Sequence, residues 1–189
     1  SDNWAGASLQ VANALAQAGA GCAPAYGADD QTRVAVDWFS ELFEHDVSVF
    51  FVPTGTAANA LALASAMKPG GITLCHTSAH IASDECGAPE FLSGGRIVTL
   101  PGPRGKITAA GLEQAIDNYL PADVHHGRPL AVSLSQSTEW GTVYSVAEVE
   151  AIAHVAHAHG LKVHMDGARF ANALASLNVQ QIGRASCRE

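Results

Sequence analysis

Short apolar runs alternate with segments of helical period along most of this chain, and that alternation restricts the fold more than any other feature. Residues 47–52, 72–75, 96–100, 130–134 and 161–165 are rich in Val, Ile and Leu and read as strands. Residues 57–67, 108–119 and 145–159 lie between them and read as helices, as do 9–18, 31–43 and 170–177. Val34, Trp38, Leu42 and Phe43 share one side of 31–43. Thr108 is placed to cap 108–119, and Ser145 with Glu148 forms a capping box at the head of 145–159. Apolar strands that each feed a helix need cover on both faces. The expected fold is therefore α/β, with a mostly parallel sheet and helices on both faces in three α/β/α layers.

Composition narrows the function classes. With 189 residues and 48% hydrophobic content, the chain can bury a sizeable core, as one domain or a large piece of one. Eighteen acids against ten bases give a net charge of -8 with the bases scattered singly, which argues against a nucleic-acid partner. No apolar run has the length of a membrane span. No signal peptide follows Ser1, and Cys22, Cys75, Cys86 and Cys187 lack any CxxC or zinc-type spacing. Reduced thiols and a cytoplasmic location are expected.

The chemistry should lie where the strands end, because an open α/β sheet binds ligands beyond the carboxyl ends of its strands. The stretch His164-Met165-Asp166-Gly167-Ala168-Arg169 puts a carboxylate at one such end and a guanidinium just after it. An ionised Asp166 there needs a cationic partner. Two partners are open: Arg169 in a structural pair, or the protonated nitrogen of a pyridine cofactor such as pyridoxal phosphate.

Other segments reach the same edge. Pro53-Thr54-Gly55-Thr56-Ala57-Ala58-Asn59 joins a strand to a helix, so the backbone N–H groups of Gly55, Thr56 and Ala57 and the Thr56 hydroxyl are suited to a phosphate or to an ordinary Thr-capped turn. The run lacks the lysine of a P-loop and the spaced glycines of a dinucleotide site. His80 follows another strand, where an imidazole can lie on a cofactor ring and move protons, or be a plain loop residue. Asp84 and Glu85 either orient it or cap the next helix. Glu139, in the turn between Thr138 and Gly141, reaches the edge from a further strand. His125, His126, His154, His157 and His159 form no convincing metal set and read as a solvated surface.

Together these motifs resemble the low-specificity threonine aldolase family, pyridoxal-phosphate lyases of the aspartate aminotransferase fold. The likeness runs through Ser1-Asp2-Asn3, Tyr26-Gly27-Ala28-Asp29, residues 53–59, Ala79-His80, Asp84-Glu85, Gly87-Ala88-Pro89-Glu90, Thr138-Glu139, Gly141-Thr142-Val143-Tyr144 and residues 164–172. It implies that Gly55 and Thr56 hold the cofactor phosphate, His80 stacks on the ring, Asp166 meets its nitrogen, and Arg169 with Ser1 contacts the cofactor hydroxyl or substrate carboxylate. Tyr26 is implied near a subunit interface of a homodimer or homotetramer. Many members carry His where Glu139 stands, which leaves the base for the β-hydroxyl proton open. The implied reaction cleaves threonine and similar β-hydroxy-α-amino acids to glycine and an aldehyde. The alternatives are a β-eliminating lyase of the same fold and a noncatalytic module.

The family holds its cofactor through a Schiff-base lysine beyond the Asp and Arg motif, yet no Lys occurs between Gly167 and Glu189. Lys162 is four strand residues before Asp166, roughly 13 Å away. The expectation is a chain truncated before that lysine, with residues 1–181 part of the cofactor-binding large domain and 182–189 a non-native tail.

Overall fold

A computed structural model describes residues 6–119 and 125–178, and the expected tail at 182–189 lies outside them. The chain divides into two compact units, Ser1–Val49 and Phe50–Glu189. The first unit contains α1 (Leu9–Ala18), capped by Ser8, and α2 (Asp30–Phe43), capped by Asp29. In α2 the Trp38, Phe39 and Phe43 rings pack in sequence, Trp38 edge-on to Phe39 and Phe39 stacked on Phe43.

The second unit runs α3 (Gly55–Ala66), β1 (Gly71–His76), α4 (His80–Ser83), α5 (Ala88–Ser93), β2 (Arg96–Leu100), α6 (Ala109–Asp117), β3 (Arg128–Ser135), α7 (Val146–Ala158), β4 (Lys162–Asp166) and α8 (Phe170–Leu177), with a 3-10 turn at Pro103–Gly105. Its four strands are all parallel, in the order β2-β1-β3-β4. β1 is buried at every residue, as a central strand covered on both faces must be.

Strand alternation sorts the side chains between the two faces. Ile72, Leu74, Val132, Leu134, Val163 and Met165 pack with Leu112, Ala115 and Ile116 of α6 and Val149, Ile152 and Ala156 of α7. Fully burying one such Leu or Ile contributes about 1.5–3 kcal/mol. Cys75 and Ala131, one step out of phase, pack with Leu63 of α3 and with Ala79 and Ile81. The same parity places Ser133, Ser135, His164 and Asp166 on the α3 face. The caps follow the sequence: Thr108 accepts from the Gly111 N–H, and Ser145 and Glu148 form the reciprocal capping box.

One expected strand is absent. Residues 47–52 form no strand, and Phe50 and Phe51 are 84% and 63% exposed. A strand is defined by its ladder, and this segment has no ladder partner among the described residues. Two short helices, α4 and α5, follow β1, where the sequence reading gave no helix bounds and allowed only a helix for Asp84 or Glu85 to cap.

Candidate active site

The carboxyl ends of the strands bring four segments together. β1 ends at His76, which is buried and already engaged: its Nδ1 accepts the Ser78 N–H at 3.0 Å, so Nε2 donates to the Gly102 carbonyl at 3.2 Å. This fixes the short link to His80, the first residue of α4. β4 ends at Asp166, half-buried, whose register partner on β3 is Ser135.

Beyond β3, Gln136 shapes the third segment. Its buried amide donates to the Tyr144 carbonyl at 2.8 Å and accepts the Tyr144 N–H at 3.0 Å, imitating a strand pair. Thr138 N–H donates to the Thr142 carbonyl and Gly141 N–H to that of Thr138, with Gly141 at φ 72° where a side chain would be strained. The tight turn presents Glu139 to its neighbours. Glu139 Oε1 accepts the His80 backbone N–H at 3.2 Å and the Arg169 guanidinium at 3.2 Å. Arg169 Nε also donates to the Ser137 carbonyl at 3.1 Å.

α3 is the fourth segment. Thr54 caps it by accepting the Ala57 N–H at 3.1 Å, which removes Ala57 from the three donors expected of this turn. The N–H groups of Gly55 and Thr56 keep no partner among the described residues, and nothing lies within 4 Å of a Cβ built on Gly55. One helical turn on, about 6 Å along the axis, the buried Asn59 sends Nδ2 to Asp166 Oδ2 at 3.1 Å and to Glu85 Oε1 at 2.7 Å. The amino end of α3 and the end of β4 therefore stand on the same side of the sheet. Glu85 Oε1 also accepts from His80 Nδ1 at 3.0 Å.

Of the two partners open to Asp166, Arg169 is excluded, because the guanidinium turns to Glu139 and Ser137. Asp166 Oδ1 accepts the Ala168 N–H at 3.0 Å and Oδ2 the Asn59 amide, both neutral donors. Among the described residues no cationic side chain pairs with it.

The hydrogen bond that His80 donates to Glu85 holds its imidazole above its ordinary range against the opposing effect of partial burial, helped by the charges of Glu85, Asp166 and Asp84. His164, bonded to Ser133 Oγ at 2.8 Å, is held below its ordinary range by burial, with Asp166 opposing. The Cys75 thiol is pushed up to about 12 by burial and is inert.

His80, Glu139, Asp166 and Arg169 are thus brought into one network with the amino end of α3. Tyr26 lies in the first unit, fully exposed with φ 63°. Ser1 lies outside the described residues. Sequence reasoning missed Asn59 and Gln136 as site-building residues. Asn59 sits one turn after Gly55 in a quoted motif, and that spacing was the available signal. Among the described residues no cluster of His, Cys, Asp or Glu is arranged to hold a metal ion, and His159 bonds Glu113 at 2.8 Å.

The beta-eliminating lyase family model matches residues 1–184. The chain belongs to the beta-eliminating lyase family. Within this family it is 44% identical over 178 residues to the low specificity L-threonine aldolase of Pseudomonas aeruginosa and 42% identical to that of Pseudomonas sp., covering 94% of this chain and 51% of each relative. The chain spans about half the length of these relatives. The Leishmania major threonine aldolase structure superposes with a TM-score of 0.87 at 32% identity, over 92% of this chain and 50% of that one. Aspartate aminotransferase from Rhizobium meliloti, at 17% identity and a TM-score of 0.60 over 84% of this chain and 39% of that one, shares the fold. The family member described here is therefore built on the aspartate aminotransferase fold, as the resemblance implied, with the mostly parallel sheet expected from the strand-helix alternation.

Proposed function

We propose that the complete protein is a pyridoxal-phosphate-dependent aldolase that cleaves threonine and similar β-hydroxy-α-amino acids to glycine and an aldehyde. The observation that carries this is Asp166, a carboxylate bonded only by neutral donors, placed on the same face as the two free N–H groups that begin α3. That donor set fits the cofactor: an anion site at a helix amino terminus and an acceptor for a cationic ring nitrogen, linked through Asn59, which lies one turn into α3 and bonds Asp166 at 3.1 Å. The relatives named threonine aldolases support the same reading.

In this reading Gly55 and Thr56 hold the phosphate by backbone N–H groups and the Thr56 hydroxyl. Asp166 holds a proton on the ring nitrogen, and His80 covers the ring. When bound, the cofactor supplies a sink for the electron pair released as the bond from Cα to Cβ breaks. Arg169 directs its remaining donors to the substrate carboxylate or the cofactor hydroxyl. Glu139, already holding Arg169 and the His80 backbone, acts as a positioning residue. Ser1 adds to the carboxylate contact and Tyr26 acts near a subunit interface. Residues 1–181 belong to the cofactor-binding large domain of a homodimer or homotetramer working in the cytoplasm. The covalent lysine is supplied by sequence beyond Asp166, because Lys162 stands at the opposite end of β4.

Titrating the complete protein with pyridoxal phosphate, and then offering threonine, phenylserine and β-substituted amino acids, tests the reading. A saturable absorbance band and release of glycine with an aldehyde are expected. Release of ammonia and a keto acid from β-substituted substrates alone would assign β-elimination instead, and no band would remove the cofactor.

A further inference from the structure

Glu85 is the most deeply buried charged side chain described in the site, 1% exposed, and the reading above gives it no part. It does not cap α5, whose N-cap is Gly87 without a side-chain bond. Both its hydrogen bonds fall on Oε1, from Asn59 Nδ2 and His80 Nδ1, while the buried Oε2 has no partner among the described residues. We propose that Glu85, tied to Asp166 through Asn59, is a positioning residue that fixes His80 in its Nδ1–H tautomer and leaves Nε2 as its free nitrogen.

A carboxylate offers acceptors only, so an imidazole nitrogen 3.0 Å from it must donate. The tautomer and the ring orientation follow from that one bond, as when an acid orients a catalytic histidine. Nε2 makes no hydrogen bond with any described residue and is the atom left to take or return a proton. Asn59 uses its two Nδ2 hydrogens on two different carboxylates, so Glu85 cannot turn without losing a buried bond, nor Asp166 without losing a part-buried one. The cofactor-facing histidine and the cofactor-facing aspartate are thus set by one bridge. The chain reaches this geometry because α4 is a single turn: His80 opens it, and Glu85 follows one residue after its C-cap, Asp84, within hydrogen-bond reach of His80 Nδ1.

The proposal rests on the aldolase reading for its purpose, but its test needs no cofactor. The complete apoprotein, labelled with ¹⁵N at histidine rings, is titrated by NMR, with the His80 signals assigned by their loss in His80→Phe. The charged groups facing His80 are Glu85 and Asp84 beside α4, Asp166 from β4, and Glu139 from the turn after β3. The neutral ring is expected as Nδ1–H with Nε2 unprotonated. Glu85→Gln keeps an acceptor, so the tautomer persists while the titration midpoint moves down. Glu85→Ala populates both tautomers. A wild-type ring protonated at Nε2 overturns the proposal whatever the variants do, and so does a midpoint unmoved in Glu85→Gln. Pyridoxal phosphate binding, followed separately by absorbance, can fail without altering the tautomer, which keeps the two readings distinguishable.

Discussion

Arg169 donates to Glu139 across 3.2 Å and leaves Asp166, three residues before it, to neutral donors. These two carboxylates are therefore bound differently: Glu139 by a guanidinium, and Asp166 by neutral donors alone among the described residues. Glu139→Ala removes the anchor of a guanidinium assigned to the substrate carboxylate. We expect KM for the amino acid to rise about tenfold, as for loss of one charge-assisted hydrogen bond. Glu139→Gln, which can still accept the His80 N–H, should lose less. Steady-state kinetics of the two variants checks the order.

Asp166 carries the electronic part of the account. In the complete protein, on the proposed reading, Asp166→Ala is expected to lower kcat/KM by on the order of 10²–10³, the usual effect of deleting one preorganised electrostatic contact. Retained wild-type turnover would remove Asp166 from the reaction.

His164 predicts a pH dependence of stability. Burial holds its imidazole below the ordinary value, so the unfolded chain takes up a proton first as pH falls. The stability that neutral His164 contributes is complete above the unfolded value of about 6.5 and is lost as pH falls toward the folded value. His80, raised by Glu85, works in the opposite sense, its contribution lost as pH rises through the folded value. Urea unfolding at several pH values should therefore show a smaller acid loss in His164→Asn than in the wild type.

Tyr144 is 2% exposed, and its hydroxyl accepts the Ile107 N–H at 2.8 Å. Burial pushes the phenol up to about 12, so it stays neutral through the working range. Tyr144→Phe leaves that N–H buried and unpaired. A loss of about 1–3 kcal/mol is expected in denaturant unfolding.

The sheet and its helices were legible because their signals are local. Short apolar runs, helical spacing and the Thr108 and Ser145 caps give α1, β2 and α8 with the expected bounds and the other expected elements, 47–52 apart, to within about two residues, whereas the short helices α4 and α5 were not foreseen. Residues 47–52 show the limit: a β-rich run without a ladder partner is no strand. At the site, Asp166, His80, Glu139 and Arg169 were visible as polar residues at strand ends. Their pairing was not, since sequence proximity suggested Asp166 with Arg169 while the Gln136-braced turn brings Glu139 there first. Asn59 looked like one polar residue on an apolar helix. Its role exists only once α3 lies against β4, 107 positions away in the chain.

The most direct measurement is the ¹⁵N chemical shift of pyridoxal phosphate labelled at its ring nitrogen and bound to the complete protein at neutral pH. A protonated ring in the wild type and an unprotonated one in Asp166→Ala is the predicted pair. A ring nitrogen with the same protonation in both would contradict the placement of Asp166 against the cofactor.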